Sequence, residues 1–459
     1  MNRSAAGSVM PELKRGDCVY MRSARDPLPI GERLGRGGQG TVFGTELHGR
    51  QLAVKWYRPS ASRVFDNKIQ TDLVRLVEGG RPKNQAFIWP IDLVSSPGQP
   101  GFGYVMPRLE SRFVTCFQML SSDQAPNFDI KINIGLNLVE AFASLHTEGL
   151  CYRDVSFGNL YVDPNAGDVA IIDNDNVGIT GEESLIKGTL QFMAPEVMLD
   201  KAPPRTESDL YSLALFLFYL FCHGHPLEGA AVDASYNSNE PERPSDHDLL
   251  LKHFGYEPLF IFDPENPSNR PASGHPVNNW WPVYPKFFQQ MFITSFTTGL
   301  KDPTLTGRII ESLWRRALHR LADSIWQCDN CQAALLFDAS EPNQACWNCR
   351  RMPASPMLIR TTGSSVVVMN GAMLTNRHLM LPGSPDEPVA VAELDERLPG
   401  AVLLRNLSSQ VWDVETAGES PQQVKPGHKL VARPRKIRVA GKSATIVPAQ
   451  PGQPGQRGA

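Results

Sequence analysis

The sequence predicts an α+β chain: a β-rich small lobe, a helical large lobe, a cysteine-rich segment and a small all-β unit. Three observations predict it. Short runs of β-branched and aromatic residues fill the stretch up to Met106, and helical spacing dominates from Ile130. Two CxxC pairs then stand before a region whose strand-like runs alternate with Gly and Pro turns. At 459 residues the chain is too long for one core. A net charge of −3, with 41% hydrophobic and 20% charged residues, describes an ordinary soluble protein and gives no electrostatic case for nucleic acid. The first residues, Met1-Asn2-Arg3-Ser4-Ala5-Ala6, lack the apolar stretch of a signal peptide. The longest apolar run, Leu213–Cys222, has ten residues where a bilayer crossing needs about twenty. Four of the eight cysteines lie in the CxxC pairs and four are scattered, a pattern of a reducing compartment with a metal site. A cytoplasmic protein without a membrane partner is expected.

Each segment has its own signature. Residues 1–27 read as a polar, irregular N-terminal extension. The small lobe, 28–109, holds strand-like runs at Gly40–Thr45, Gln51–Tyr57 and Phe102–Met106, with one helix over Val64–Val77. The large lobe, 110–324, carries helices at Ile130–Glu148 (Gly149 as C-cap), Ser208–Cys222 and Arg308–Ala322. Between Gly224 and Pro285 a segment rich in Pro, Asn, Ser and Asp predicts an irregular insertion anchored by Trp280 and Trp281. Residues 325–355 hold the CxxC pairs. In 356–447 the strand candidates are Ser365–Met369, Val389–Glu393 and Ile437–Val439. Residues 448–459, rich in Pro, Gly and Gln, predict a disordered tail. There is no internal repeat.

The chemistry concentrates in the first two lobes. Gly35-Arg36-Gly37-Gly38-Gln39-Gly40-Thr41-Val42 forms a turn in which glycines let backbone N–H groups approach an anion closely. Alone it reads more readily as an ordinary glycine hairpin. Ala53-Val54-Lys55 follows fifteen residues after the last glycine, an offset that carries Lys55 to the phosphates of a nucleotide. Tyr152-Arg153-Asp154 stands five residues before Asn159, Asp173 ends an apolar run, and Ala194-Pro195-Glu196 closes the series. A single aspartate near a turn is usually a turn former. Five motifs in this order resemble the Hanks-type protein kinases, over residues 30–325.

That resemblance implies a bilobal protein-kinase fold and roles for named residues. Gly35, Gly37 and Gly40 cradle ATP phosphates, with Val42 and Ala53 on the adenine and Lys55 on the α- and β-phosphates. Asp154 orients the substrate hydroxyl and accepts its proton, and Asn159 and Asp173 hold Mg²⁺ (or Mn²⁺). Tyr104–Leu109 looks like the strand leading to the hinge, with Met106 as gatekeeper and Pro107 and Leu109 offering backbone groups to adenine. Glu196 is expected to pair with Arg308, which keeps the family's spacing to Trp314, and Asp209 to accept catalytic-loop amides. Thr189 favours Ser/Thr substrates. Arg153 suggests a phosphate-ordered loop, with Thr180, Ser184 and Thr189 as its hydroxyls.

The pattern also departs from the family. Ser156 stands where a lysine is usual, Tyr152 where a histidine is, and Asn174-Asp175 where Phe-Gly is, the last adding a carboxylate beside the metal. No glutamate is obvious for Lys55; Asp72, Asp66 and Glu78 are the candidates on the small-lobe helix. A nucleotide-binding pseudokinase scaffold is therefore the alternative to an active Ser/Thr kinase.

Cys328-x-x-Cys331 and Cys346-x-x-Cys349, fourteen residues apart, present four thiolates to one structural Zn²⁺, a zinc ribbon with Phe337 and Trp347 in its small core. Val402–Ser408, Trp412 and Val424–Gly427 resemble the second half of a forkhead-associated β-sandwich, which implies a unit for protein interaction. Tyr152–Asp175, His225–Gly229, Phe260–Pro264 and the ribbon resemble bacterial kinases of TerY-type, tellurite-resistance-associated phosphorylation systems. That resemblance implies two partners besides protein substrates: a metal-dependent Ser/Thr phosphatase and a von Willebrand A-domain protein.

Overall fold

The computed structural model describes residues 12–24, 26–58, 62–121, 127–184, 188–238, 243–341, 344–398 and 400–449. Of the tail expected at 448–459, Pro448 instead ends a strand (Lys442–Pro448) and Ala449 is buried; the remainder lies outside the described residues. Seven antiparallel strands form the first sheet: β1 (Cys18–Met21), β2 (Pro27–Pro29), β3 (Arg33–Arg36), β4 (Gly40–Leu47), β5 (Arg50–Tyr57), β6 (Asp92–Ser95) and β7 (Gly103–Pro107). Their order is β2-β1-β6-β7-β5-β4-β3. Along β5 the side chains alternate. Leu52, Val54 and Trp56 meet Val19, Leu28, Phe43 and Val105, whereas Ala53 and Tyr57 turn towards Tyr104, Met106 and helix α1 (Arg63–Gly79). Both faces are covered, so Leu52–Tyr57 is buried without a break, Lys55 included. Ser62 caps the Phe65 amide at 3.3 Å to start α1, which buries Ile69, Leu73 and Leu76.

The expectation of an irregular stretch before residue 28 is corrected. Within it β1 pairs with both β2 and β6, and Val19 is fully buried. Strands of three or four residues contain too few alternations to register as a period.

The large lobe follows with β8 (Val114–Thr115), α2 (Cys116–Leu120), α3 (Phe128–Thr147), β9 (Leu150–Cys151), β10 (Leu160–Val162), β11 (Val169–Ile171), β12 (Gly178–Ile179), α4 (Pro195–Met198) and α5 (Thr206–Cys222). Almost every residue of α5 is buried, so its apolar character has no preferred side. A later helix, Glu311–Ala322, packs on α3; a Cβ at Gly135 would stand 3.2 Å from the Leu318 methyls, which is why the contact is so close. The segment expected to be irregular instead holds short helices at Ala230–Tyr236, Asp246–Leu250 and Val277–Trp280. Trp281 stacks on Phe262 (4.5 Å, 7°) and Trp280 on His223 (5.0 Å, 11°).

Ten strands follow in two sheets, six-stranded (starting with Met357–Arg360) and four-stranded (starting with Met373–Thr375). Ile359, Leu374, Val389, Leu404, Trp412 and Ile437 share one core between them. After the strand Met373–Thr375 comes a short helix, Asn376–Leu379, with the Thr375 amide donating to His378 Nδ1 at 2.8 Å. Asp323, at the end of helix Glu311–Ala322, meets Arg377 at 3.0 and 3.3 Å and His378 Nε2 at 3.0 Å. Among the described residues no helix is long and apolar enough to cross a membrane.

Candidate active site

The glycine loop joins β3 to β4, with Gly35 opposite Val42. Its glycines answer to different constraints. A Cβ on Gly40 would lie 2.3 Å from the Trp56 carbonyl oxygen, whereas at Gly35 or Gly37 it would meet nothing within 4 Å. Packing requires the first; the open space beside the other two is the room a phosphate needs. Arg58 grips the loop from below, its guanidinium donating to the Gly37 carbonyl and, at 2.9 Å, to that of Gly38. That contact is not legible in the sequence, because Arg58 follows a strand as many solvated arginines do. Opposite Ala53 lies Met106, buried, and opposite Leu52 lies Pro107; the strand then runs out through half-buried Leu109.

Lys55 sits on β5 between Val42 of β4 and Tyr104 of β7. Its ammonium is 3.3 Å from Asp173 Oδ1, and 2.8 and 3.0 Å from the two oxygens of Asp175. This overturns the expected helix partner. Asp72 is 2.8 Å from Lys68 on the outer part of α1, Glu78 is exposed, and Asp66 lies in the first turn. It also corrects the placement of Asp175, which is buried against Lys55 rather than open beside a metal. Tyr104 donates to Asp175 at 2.9 Å, and Tyr57 donates to it as well. Burial pushes the Asp175 carboxyl up, but the Lys55 charge and these hydrogen bonds outweigh it and hold it below the usual range. Burial pushes Asp173 up, and with Asp175 beside it that wins over Lys55.

Asp173 has φ 54, ψ 43, and its side chain remains 34% exposed. Asn174 behind it fills a fully buried slot, donating to the carbonyls of Ile88 and Ile171, both at 2.9 Å. On the loop at residues 152–159, Asp154 receives Asn159 Nδ2 at 3.0 Å, Thr189 Oγ1 at 2.9 Å and Asn176 Nδ2 at 3.4 Å. With its nitrogen committed to Asp154, Asn159 has its amide oxygen left to offer a cation. The role of Asn176 went unread in the sequence; the Asp-Asn-Asp-Asn run at 173–176 was its only signal. Buried Ser156 supplies no charge.

The frame around this loop is ionic. Asp209 accepts the Arg153 amide at 3.0 Å and the Tyr152 amide, and Tyr152 donates from its ring hydroxyl to the Ile172 carbonyl. Arg308 Nη2 donates to both oxygens of Glu196, at 2.9 and 3.0 Å, with the guanidinium over the Tyr211 ring. Arg153 has φ 74 and reaches the Ile179 carbonyl at 3.1 Å and Ser184 at 3.3 Å.

The two CxxC pairs come together. Cys328 and Cys349 sulfurs are 3.7 Å apart, those of Cys331 and Cys346 3.6 Å, and all four lie within 4.8 Å. A tetrahedron with Zn–S bonds of about 2.3 Å has edges of roughly 3.8 Å, so the donors fit zinc. Both turns repeat one geometry: the Gln332 amide bonds Cys328 and the Arg350 amide bonds Cys346, each at 2.9 Å, with positive φ at Gln332 (61) and Arg350 (62).

Residues 29–246 match the protein kinase domain family. Similar proteins include Protein kinase YegI of Escherichia coli, 23% identical over 65% of this chain and 45% of that protein. A human ribosomal protein S6 kinase-related protein is 30% identical over 30% of this chain and 40% of its own length. Zebrafish (Danio rerio) serine/threonine-protein kinase pim-2 is 24% identical over 43% of this chain and 68% of its own. Two mimivirus kinase/receptor proteins match over only 13% and 14% of their length. Apart from pim-2, the chain spans less than half the length of these relatives.

Proposed function

We propose that the chain transfers the γ-phosphoryl group of ATP to Ser or Thr hydroxyls of proteins. One observation carries this reading: Lys55, Asp173, Asp154 and Asn159, up to 118 residues apart in sequence, face one cleft beside an open glycine loop. Gly35 and Gly37 leave room for the phosphates and Lys55 binds them. Asp154 takes the proton of the incoming hydroxyl as its oxygen bonds to γ-phosphorus and the β–γ bridging bond breaks, releasing ADP. Held from two sides by Asn159 and Thr189, Asp154 has one orientation in which to do so. Asn159 and Asp173 would hold the divalent cation, which neutralises phosphate charge when bound. Incorporation of radiolabelled phosphate that is lost in both Lys55→Ala and Asp154→Ala tests the reading. Absence of transfer in wild type, with nucleotide binding retained, would replace it by the scaffold alternative.

The four cysteines support a structural zinc ribbon that orders residues 325–355. The resemblance to TerY-type kinases supports a place in a bacterial signalling or stress system, with a metal-dependent Ser/Thr phosphatase and a von Willebrand A-domain protein as partners. Pull-down with those two proteins, and removal of the label by the phosphatase, test that placement.

A further inference from the structure

We infer that Asp175 is the positioning residue for Lys55, doing from the large lobe the work usually given to an acid on the small-lobe helix. The inference rests on the kinase reading and deepens it. Lys55 and Tyr57 share one face of β5, two residues apart, and Tyr104 stands directly opposite Lys55 on β7. Three donors from two adjacent strands therefore converge on one carboxylate: Lys55 at 2.8 and 3.0 Å, Tyr104 at 2.9 Å, and Tyr57. The carboxylate is delivered by the one-turn helix Asn174–Asn176, which Asp173 begins. One short turn thus carries both acids that touch Lys55, and Asn174 pins that turn into the lobe.

Helix α1 offers nothing comparable. Its buried positions are Ile69, Leu73 and Leu76, and Asp72 is engaged with Lys68 and Arg75. The lysine is therefore aimed at the cleft by the sheet and the 173–176 turn, with α1 serving as apolar packing. In this chain it is a shift of the 173–176 turn, against which α1 packs, that releases Lys55. The departure at Asp175 and the missing helix acid thus become one compensated change.

The test compares Asp175→Asn, Asp175→Glu and Asp72→Asn with wild type in the full chain. Phosphate transfer gives kcat and KM for ATP, titration with ATP and Mg²⁺ gives the nucleotide Kd, and thermal melting reports folding. Asp175→Asn is expected to raise KM for ATP about tenfold and lower kcat about 100-fold in folded protein. Asp175→Glu is expected to recover part of both losses, and Asp72→Asn to stay within about twofold of wild type. A melting change in Asp175→Asn with kcat and KM unchanged would reduce Asp175 to a structural residue. A lower KM would mean that Asp175 withholds Lys55 from ATP, and a loss in Asp72→Asn would return the role to α1; either overturns the inference. If wild type binds ATP without transferring phosphate, the kinase reading fails while the Kd comparison still judges Asp175. If wild type does neither, both fall.

Discussion

His146 Nε2 stands 3.2 Å from the Asp209 carboxylate that also accepts the Arg153 amide. Its other nitrogen contacts Glu311, so one buried imidazole sits between two acids. Burial pushes the imidazole down, but the hydrogen bonds and charges of Asp209 and Glu311 raise it to about 9. The folded value lies above the unfolded value of about 6.5, so the stabilisation is fully present below pH 6.5 and is lost as pH rises to about 9. Stability on the order of 3 kcal/mol is expected to disappear across that window. Melting temperature against pH for wild type and His146→Gln tests it; equal slopes for the two between pH 6.5 and 9 would sink the idea.

The glycines at 37 and 40 are expected to separate binding from folding. Gly40→Ala forces a Cβ to 2.3 Å from a backbone oxygen and is expected to cost about 2 kcal/mol or more of stability. Gly37→Ala meets open space, so it leaves melting unchanged and weakens ATP binding. Denaturation and nucleotide titration of both variants check this, and equal stability losses would contradict it.

Arg308 has a side chain 2% exposed, and its Nη2 alone reaches both oxygens of Glu196. Arg308→Ala leaves the mostly buried Glu196 carboxylate without its cation, and a loss of about 3–5 kcal/mol is expected. The guanidinium plane also lies over the Tyr211 ring, which an ammonium cannot stack on, so Arg308→Lys restores less than half. Chemical denaturation of the two variants measures both, and full rescue by lysine would rule out a role for the guanidinium plane.

One equivalent of zinc is expected per chain, lost in Cys328→Ser and in Cys346→Ser. Replacement by Co²⁺ is expected to show the absorption of a tetrahedral thiolate site. Metal content that survives both substitutions would place the ion elsewhere.

The sequence exposed those parts of the fold where period and spacing are long. Helices α3 and α5 span four or more turns, and the residues flanking Asp154 and Asp173 sit at offsets that a few loops impose. Strands β1 and β2 were missed because each contributes only one or two buried side chains. Asp175 was misplaced for a different reason. A one-turn helix hides which way a side chain points, and only the register of β5 with β7 reveals that Tyr57, Lys55 and Tyr104 aim at one spot. The hydrogen bond from Asn176 to Asp154 has the same origin. The pairs within reach of sequence were those with motif neighbours, Glu196 with Arg308 above all; the network through His146 had none.

Asp323 gives the terminal β unit a second meaning. Its carboxylate, nearly buried, takes a cation from Arg377 and a ring N–H from His378, and its carbonyl receives the Val367 amide at 2.8 Å. A chain ended at residue 355 would strand that acid at the foot of the helix packed on α3, two elements away from the catalytic loop. The helical lobe and the terminal β unit are thus joined at a hinge of charge, and dissecting them for separate study would injure the half that was meant to be kept.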